Sequence, residues 1–160
     1  MVSNLKSFSA TYGMIWLDIE GAQYWGSSKA ENCNFIREMA AKATALGKKV
    51  GIYSSASQWG PICDSHDFSS YPIWYAHYDN NPSFSDFSPF GGWTTPAIKQ
   101  YAGDVSKCSC GIDENYYPPG FLEWRKSYIG GDERAEFEAN REAFAAALGI
   151  DSATGEPLEK

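Results

Sequence analysis

Asp18 and Glu20 stand two residues apart at the end of the apolar run Met14-Ile15-Trp16-Leu17-Asp18-Ile19-Glu20-Gly21. On a β-strand, residues i and i+2 share a face and lie roughly 6.5–7 Å apart along the backbone. Both carboxyls therefore look into one space, together with Met14 and Trp16, while Ile15, Leu17 and Ile19 fill the opposite face. Two carboxyls held close in a partly apolar site do not ionise independently, and one keeps its proton toward neutral pH. An acid and a base side by side suit cleavage of a glycosidic bond, where one group protonates the leaving oxygen and the other stabilises or attacks the cationic sugar carbon. Trp16, Tyr24, Trp25 and Tyr53 are the nearby rings that could cover the apolar face of a sugar. The plainer reading of the same pattern is that Asp18 caps the following segment and Glu20 is solvated.

The elements that must position this pair follow from periodicity. Ser28 with Glu31 three residues later is a capping-box pattern, and Phe35, Ile36, Met39, Ala40, Ala43 and Leu46 follow at helical spacing until Gly47. Lys49 to Tyr53 reads as a second strand, giving a strand, helix, strand unit that is normally parallel. Tyr71 to Tyr78, Ile98 to Ala102 and Gly111 to Asn115 read as further strands, and Pro82, Pro89, Gly91, Gly92 and Pro96 between them favour loops over a crossover helix. Asp132 to Leu148 has the pattern of an acidic amphipathic helix ended by Gly149, and residues 151–160 have the composition of a disordered tail. The expected division is thus a main domain over 1–129, a helix within 130–150 and the tail.

A chain of 160 residues can bury one real core. Its 6 Trp, 10 Tyr and 9 Phe are concentrated before Tyr128; such rings line carbohydrate sites and, more commonly, form core. The net charge of −7 argues against nucleic acid or an anionic membrane as partner, and −5 of it resides in residues 131–160. No apolar run suggests a signal peptide or a membrane span. Cys33, Cys63, Cys108 and Cys110 allow two disulfides in three pairings. Zinc is disfavoured, because Cys108 and Cys110 have one residue between them and no nearby His. No metal or organic cofactor is expected.

Five segments occur in an order that resembles the family 25 glycoside hydrolases, the muramidases or lysozymes, in their eukaryotic, invertebrate and protist branch. They are MIWLDIEG (14–21), VGIYSSASQW (50–59), PIWYAHYD (72–79), IKQYAG (98–103) and GIDENYY (111–117), and the similarity covers roughly residues 5–117. The resemblance implies an α/β fold, a modified (β/α) barrel in which five strand and helix units precede three strands without regular helices. It implies Glu20 as general acid, Asp18 as its assistant at the cationic transition state or the acetamido group, Asp113 as a further site acid, and Tyr53 and Tyr78 as substrate-binding rings. Asp79 is a weaker candidate than Tyr78, Gln100 either lines the cleft or bonds backbone, and His66 and His77 are expected at the surface or satisfied. The implied substrate is the peptidoglycan glycan, cut between N-acetylmuramic acid and N-acetylglucosamine, in a secreted or lysosomal setting. The family's opening strand, with another Asp in a Gly-x-Asp-x-Ser setting, and its next two strand and helix units have no counterpart here. The expectation is therefore a partial barrel, whose open edge invites self-association. The competing functional expectation is a vestigial domain that binds glycan without cutting it.

Overall fold

The computed structural model describes residues 12–64 and 66–118, and its elements belong to one compact unit, Met14–Phe121. The sequence expectations for the helix at 132–148 and the tail at 151–160 lie outside the described residues. Strand β1 (Ile15–Asp18) leads through a single 3-10 turn at Ala22–Tyr24 into helix α1 (Lys29–Ala45). Then come β2 (Val50–Ser54), α2 (Ala56–Ile62), β3 (Ile73–Ala76), β4 (Ile98–Lys107) and β5 (Cys110–Tyr116). The five strands form one sheet in chain order, parallel from β1 to β4 and antiparallel between β4 and β5. Two strand and helix units followed by three strands are the architecture of an open, partial α/β barrel.

Each helix starts where a hydroxyl can satisfy its first free N–H groups. The Ser28 side chain accepts from Glu31 N and the Ser55 side chain from Gln58 N. Past the end of α1, Gly47 takes the left-handed conformation, at φ 75°. The buried stripe of α1 is Asn32, Cys33, Ile36, Ala40 and Ala43, rotated from the expected one so that Phe35 and Leu46 are left exposed. The rotation has a local cause. The Asn32 amide donates to Gly26 O and to Ile62 O, and Cys33 is disulfide-bonded to Cys63 at the end of α2. Both ties turn that face of α1 toward α2. Helix α2 itself is an addition to the elements expected from the sequence, which left residues 56–62 unassigned. Of the cysteines, Cys108 and Cys110 are free and exposed at the β4–β5 hairpin.

The sheet has two unlike faces. On the helix side, Ile19, Ile36, Ile52, Ile62 and Ile73 are almost fully buried with Trp59, Phe68 and Trp93. Burying each isoleucine is worth about 1.5–3 kcal/mol. The long β3–β4 connection contributes Phe84, Phe87 and Phe90 to this core. It is anchored by the Trp93 indole donating to Tyr71 O and by Lys99 Nζ, which reaches Asp79 at 2.8 Å and Asp86 at 2.7 Å. The other face carries Trp16, Tyr53, Trp74 and Gln100, and there the candidate chemistry gathers.

Candidate active site

Alternation along the strands decides what the open face holds. Asp18 pairs in register with Tyr53 of β2, and Tyr53 with Trp74 of β3. Gln100 of β4 pairs with Ala76 on one side and Asn115 on the other. Side chains of one alternate set thus meet in a trough of about 380 Å³ lined by Trp16, Asp18, Glu20, Tyr53, Trp74, Tyr78, Gln100 and Asp113. All five site residues expected from the sequence lie in this lining. A second hollow of about 350 Å³ shares Tyr78 and Asp113 with it and continues over Asn80 and residues 102–105.

The wall is aromatic. Trp74 meets Trp16 edge to face at 5.7 Å between ring centroids and Tyr53 at 4.9 Å. Trp16 lies across β2 because its register partner is Gly51: a Cβ there would come within 2.3 Å of the indole. Trp74 Nε1 donates to Asn115 Oδ1 at 2.9 Å, which ties β3 to β5 across β4. Of the other rings considered from sequence, Tyr24 is 86% exposed and Trp25 packs on the core and against Phe35. Neither lines the trough.

Glu20 stands just beyond the end of β1, where the strand ladder gives out after Ile19 N donates to Tyr53 O. Three side chains take over the backbone there. Ser54 Oγ donates to Ile19 O at 2.7 Å, Trp25 Nε1 donates to Glu20 O at 3.0 Å, and Gly21 N donates to Gln58 Oε1 at 3.0 Å. Gly21 turns the chain at φ +67°, and a Cβ there would sit 2.7 Å from the Tyr24 ring. Asp18 and Glu20 are both exposed at the mouth of the trough, yet the partial desolvation its walls impose pushes the Asp18 carboxyl above its ordinary range. Glu20 is pushed up by burial and then by the negative charge of Asp18. Among the described residues no Lys or Arg lines the trough to counter either shift.

At the far side, Tyr53 Oη and Tyr78 Oη both donate to Gln100 Oε1, at 2.6 and 2.7 Å. Gln100 Nε2 donates to Asp113 Oδ2 at 3.0 Å. The β4–β5 register slips between Gln100 and Val105, and the irregularity turns Asp104 N onto Asp113 Oδ1 at 3.1 Å. Gln100, only 4% exposed, is the hub of this side; of the two readings its sequence setting left open, cleft lining and a backbone bond, it takes the first. Asp79 lies away from the trough, bonded to Lys99, and the two histidines are satisfied: His66 by Cys63 O and His77 by Asp86.

The family described as lysozyme-like protein 1 has a model that matches residues 1–101. Over 119 residues the chain is 54% identical to the probable GH family 25 lysozyme 2 of Dictyostelium discoideum, a match covering 74% of this chain and 56% of that one. The chain belongs to glycoside hydrolase family 25. It spans about half the length of the curated relatives it matches. Among solved structures it is similar to the bacterial lysozyme of Streptomyces coelicolor, with a TM-score of 0.59 and 21% identity over 75% of this chain and 57% of that one. It is likewise similar to the family GH25 lysozyme of Aspergillus fumigatus, with a TM-score of 0.58 and 22% identity over 72% and 56%. At such identities the likeness speaks for the fold. Asp18 and Glu20 lie at and just beyond the carboxyl end of β1, the end at which barrels of parallel strands carry their chemistry.

Proposed function

We propose that this family 25 domain hydrolyses the glycosidic bond between N-acetylmuramic acid and N-acetylglucosamine in bacterial peptidoglycan. The observation that carries the reading is the convergence of Asp18, Glu20 and Asp113 on one aromatic-walled trough. Glu20 is the general acid: its raised pKa favours holding a proton at the pH where an ordinary surface glutamate has lost it. It gives that proton to the leaving glycosidic oxygen. Asp18 faces the same space and offsets the positive charge that develops on the sugar ring, or orients the acetamido group. Tyr53, Tyr78 and Asp113 hold the sugar by hydrogen bonds, and Trp16 and Trp74 supply the apolar wall. The adjoining hollow beyond Tyr78 extends the groove toward a second sugar. The Cys33–Cys63 bond suits an oxidising compartment, in keeping with a secreted or lysosomal protein.

The test is digestion of purified peptidoglycan by the wild-type chain and by Glu20→Gln. Turnover is expected to fall about 10²–10⁴-fold, the range for loss of a general acid, with glycan binding retained. Equal turnover in both proteins rejects the assignment of Glu20. Binding without turnover in either identifies a glycan-recognition domain instead.

A further inference from the structure

The trough has a polarity that its composition does not reveal. Each tyrosine hydroxyl has one proton to give; the two hydroxyls lie 3.5 Å from each other, and the much shorter contact of each, at 2.6 and 2.7 Å, is to the same oxygen, Gln100 Oε1, which takes both protons. That oxygen has two lone pairs, so its capacity is filled. The amide's orientation follows from charge. Exchanging its oxygen and nitrogen would set the oxygen against the Asp113 carboxylate and would remove the acceptor of both phenols. With their protons committed, Tyr53 and Tyr78 present lone pairs to the trough, beside the acceptor oxygens of Asp18 and Asp113.

We propose that Gln100 is a specificity-determining residue: it fixes both phenols as acceptors, so the trough selects its ligand by N–H and O–H donors, the amide N–H of an N-acetylamino sugar foremost. The inference rests on the glycan reading above and adds to it the direction of the hydrogen bonds. An acceptor array leaves a ligand without donors facing unpaired lone pairs, and that mismatch is discriminated against more strongly than a change in apolar size. Gln100 acts through the tyrosines and has the burial such a role requires, at 4% exposure.

The experiment compares two probes, triacetylchitotriose and its N-methylated acetamide analogue, which keeps the acetyl groups and lacks the N–H. Affinities are measured by calorimetry for the wild-type chain, Gln100→Met and Gln100→Glu. The wild type is expected to prefer the N–H probe by about tenfold, the scale of one buried hydrogen bond. Gln100→Met frees both phenolic protons and should reduce the preference to about twofold, while Gln100→Glu, sharing one proton with Asp113 on the oxygen that replaces Nε2, retains an acceptor for the phenols on its other oxygen and should restore most of it. The phenolic protons supply a readout that needs no ligand. Exchange-protected hydroxyl signals of Tyr53 and Tyr78 should be seen by NMR in the wild type and vanish in Gln100→Met. An undiminished preference in folded Gln100→Met, or unprotected phenolic protons in the wild type, overturns the inference alone. Protected protons with neither probe bound overturn the glycan reading and this inference with it.

Discussion

Two pairs of acids on opposite faces of the sheet have been put to opposite uses. Asp18 and Glu20 open into a trough whose lining, among the described residues, contains no Lys or Arg, and desolvation raises both carboxyls, with Asp18 raising Glu20 further. Asp79 and Asp86 flank Lys99, which is fully buried, and are held below the ordinary carboxylate range. Burial opposes the ionisation of Asp86, but hydrogen bonds from Lys99, His77 and Tyr75 outweigh it. For Asp79 the Lys99 hydrogen bond dominates outright. The difference is one cation. Where a lysine completes the cluster, the charge is structural and anchors the β3–β4 connection; where none does, a carboxyl stays ready to hand over a proton.

The largest expected effect separates the two pairs by activity. Glu20→Gln should lower peptidoglycan turnover about 10²–10⁴-fold and leave urea stability unchanged or slightly higher, since it removes an acid that folding holds in an unfavourable charge state. Lys99→Met should do the reverse. It strands two carboxylates beside a buried apolar stem, and removal of one partner from a buried ion pair costs about 3 kcal/mol or more. Partial exposure of the two acids, 24% and 17% at the side chain, brings the expectation to about 2–3 kcal/mol of unfolding free energy. A Lys99→Met protein as stable as wild type would show that the cluster does not anchor the loop.

Acid titration sharpens the contrast, because the signs differ. Asp79 and Asp86 have lowered folded pKa values, so their stabilisation is present above the ordinary carboxylate range and lost as pH falls through the lowered values. Asp18 and Glu20 have raised folded values. The folded state then binds more protons than the unfolded chain between the ordinary and raised values, so stability rises as pH falls through that window. Melting temperatures followed from about pH 7 down to about pH 2, where the lowered Asp86 carboxyl titrates, should fall less steeply at the acid end in Lys99→Met than in wild type. In Asp18→Asn combined with Glu20→Gln, the gain at the upper end of that window should vanish. Parallel curves for all three proteins would refute the assignment of opposite shifts.

Much of this arrangement was legible before any coordinates, and the exceptions share a cause. Alternation in 14–21 placed Asp18 and Glu20 on one face, and Ser28 with Glu31 marked the start of α1. Both are local patterns. Helix α2 carries the same kind of signal, Ser55 with Gln58 three residues on, but Gly60 and Pro61 argue against a helix, and only seven residues form one. Gln100 and Lys99 are adjacent and point to opposite faces, one to the hub of the trough and the other to the acid cluster. Nothing in their neighbours announces either role, since every partner comes from another strand or loop at a separation of 13 residues or more. The pairing of Cys33 with Cys63, one of three arithmetically open choices, likewise became fixed only when α1 met α2.

The smallest expected effect probes how the trough acid is held. Beyond the end of β1, Gln58 Oε1 receives the Gly21 N–H, so α2 reaches across to hold the peptide that carries Glu20. A single neutral hydrogen bond contributes about 1 kcal/mol, and Gln58→Ala should lower unfolding free energy by about that much, while Gln58→Glu, which keeps the accepting oxygen, should lower it less. The consequence for Glu20 is distinct from the loss of stability. With Ser54 and Trp25 still bonded to the neighbouring carbonyls, the carboxyl gains freedom to turn from the trough toward water. Its pKa, followed by carbon NMR, should therefore move down toward the ordinary glutamate value in Gln58→Ala and stay near the wild-type value in Gln58→Glu. In Lys99→Met, where the disturbance falls on the other face, the Glu20 titration should not move at all. A shift there as large as in Gln58→Ala would mean that the two faces are coupled through the sheet and that the division between a structural pair and a chemical pair is false.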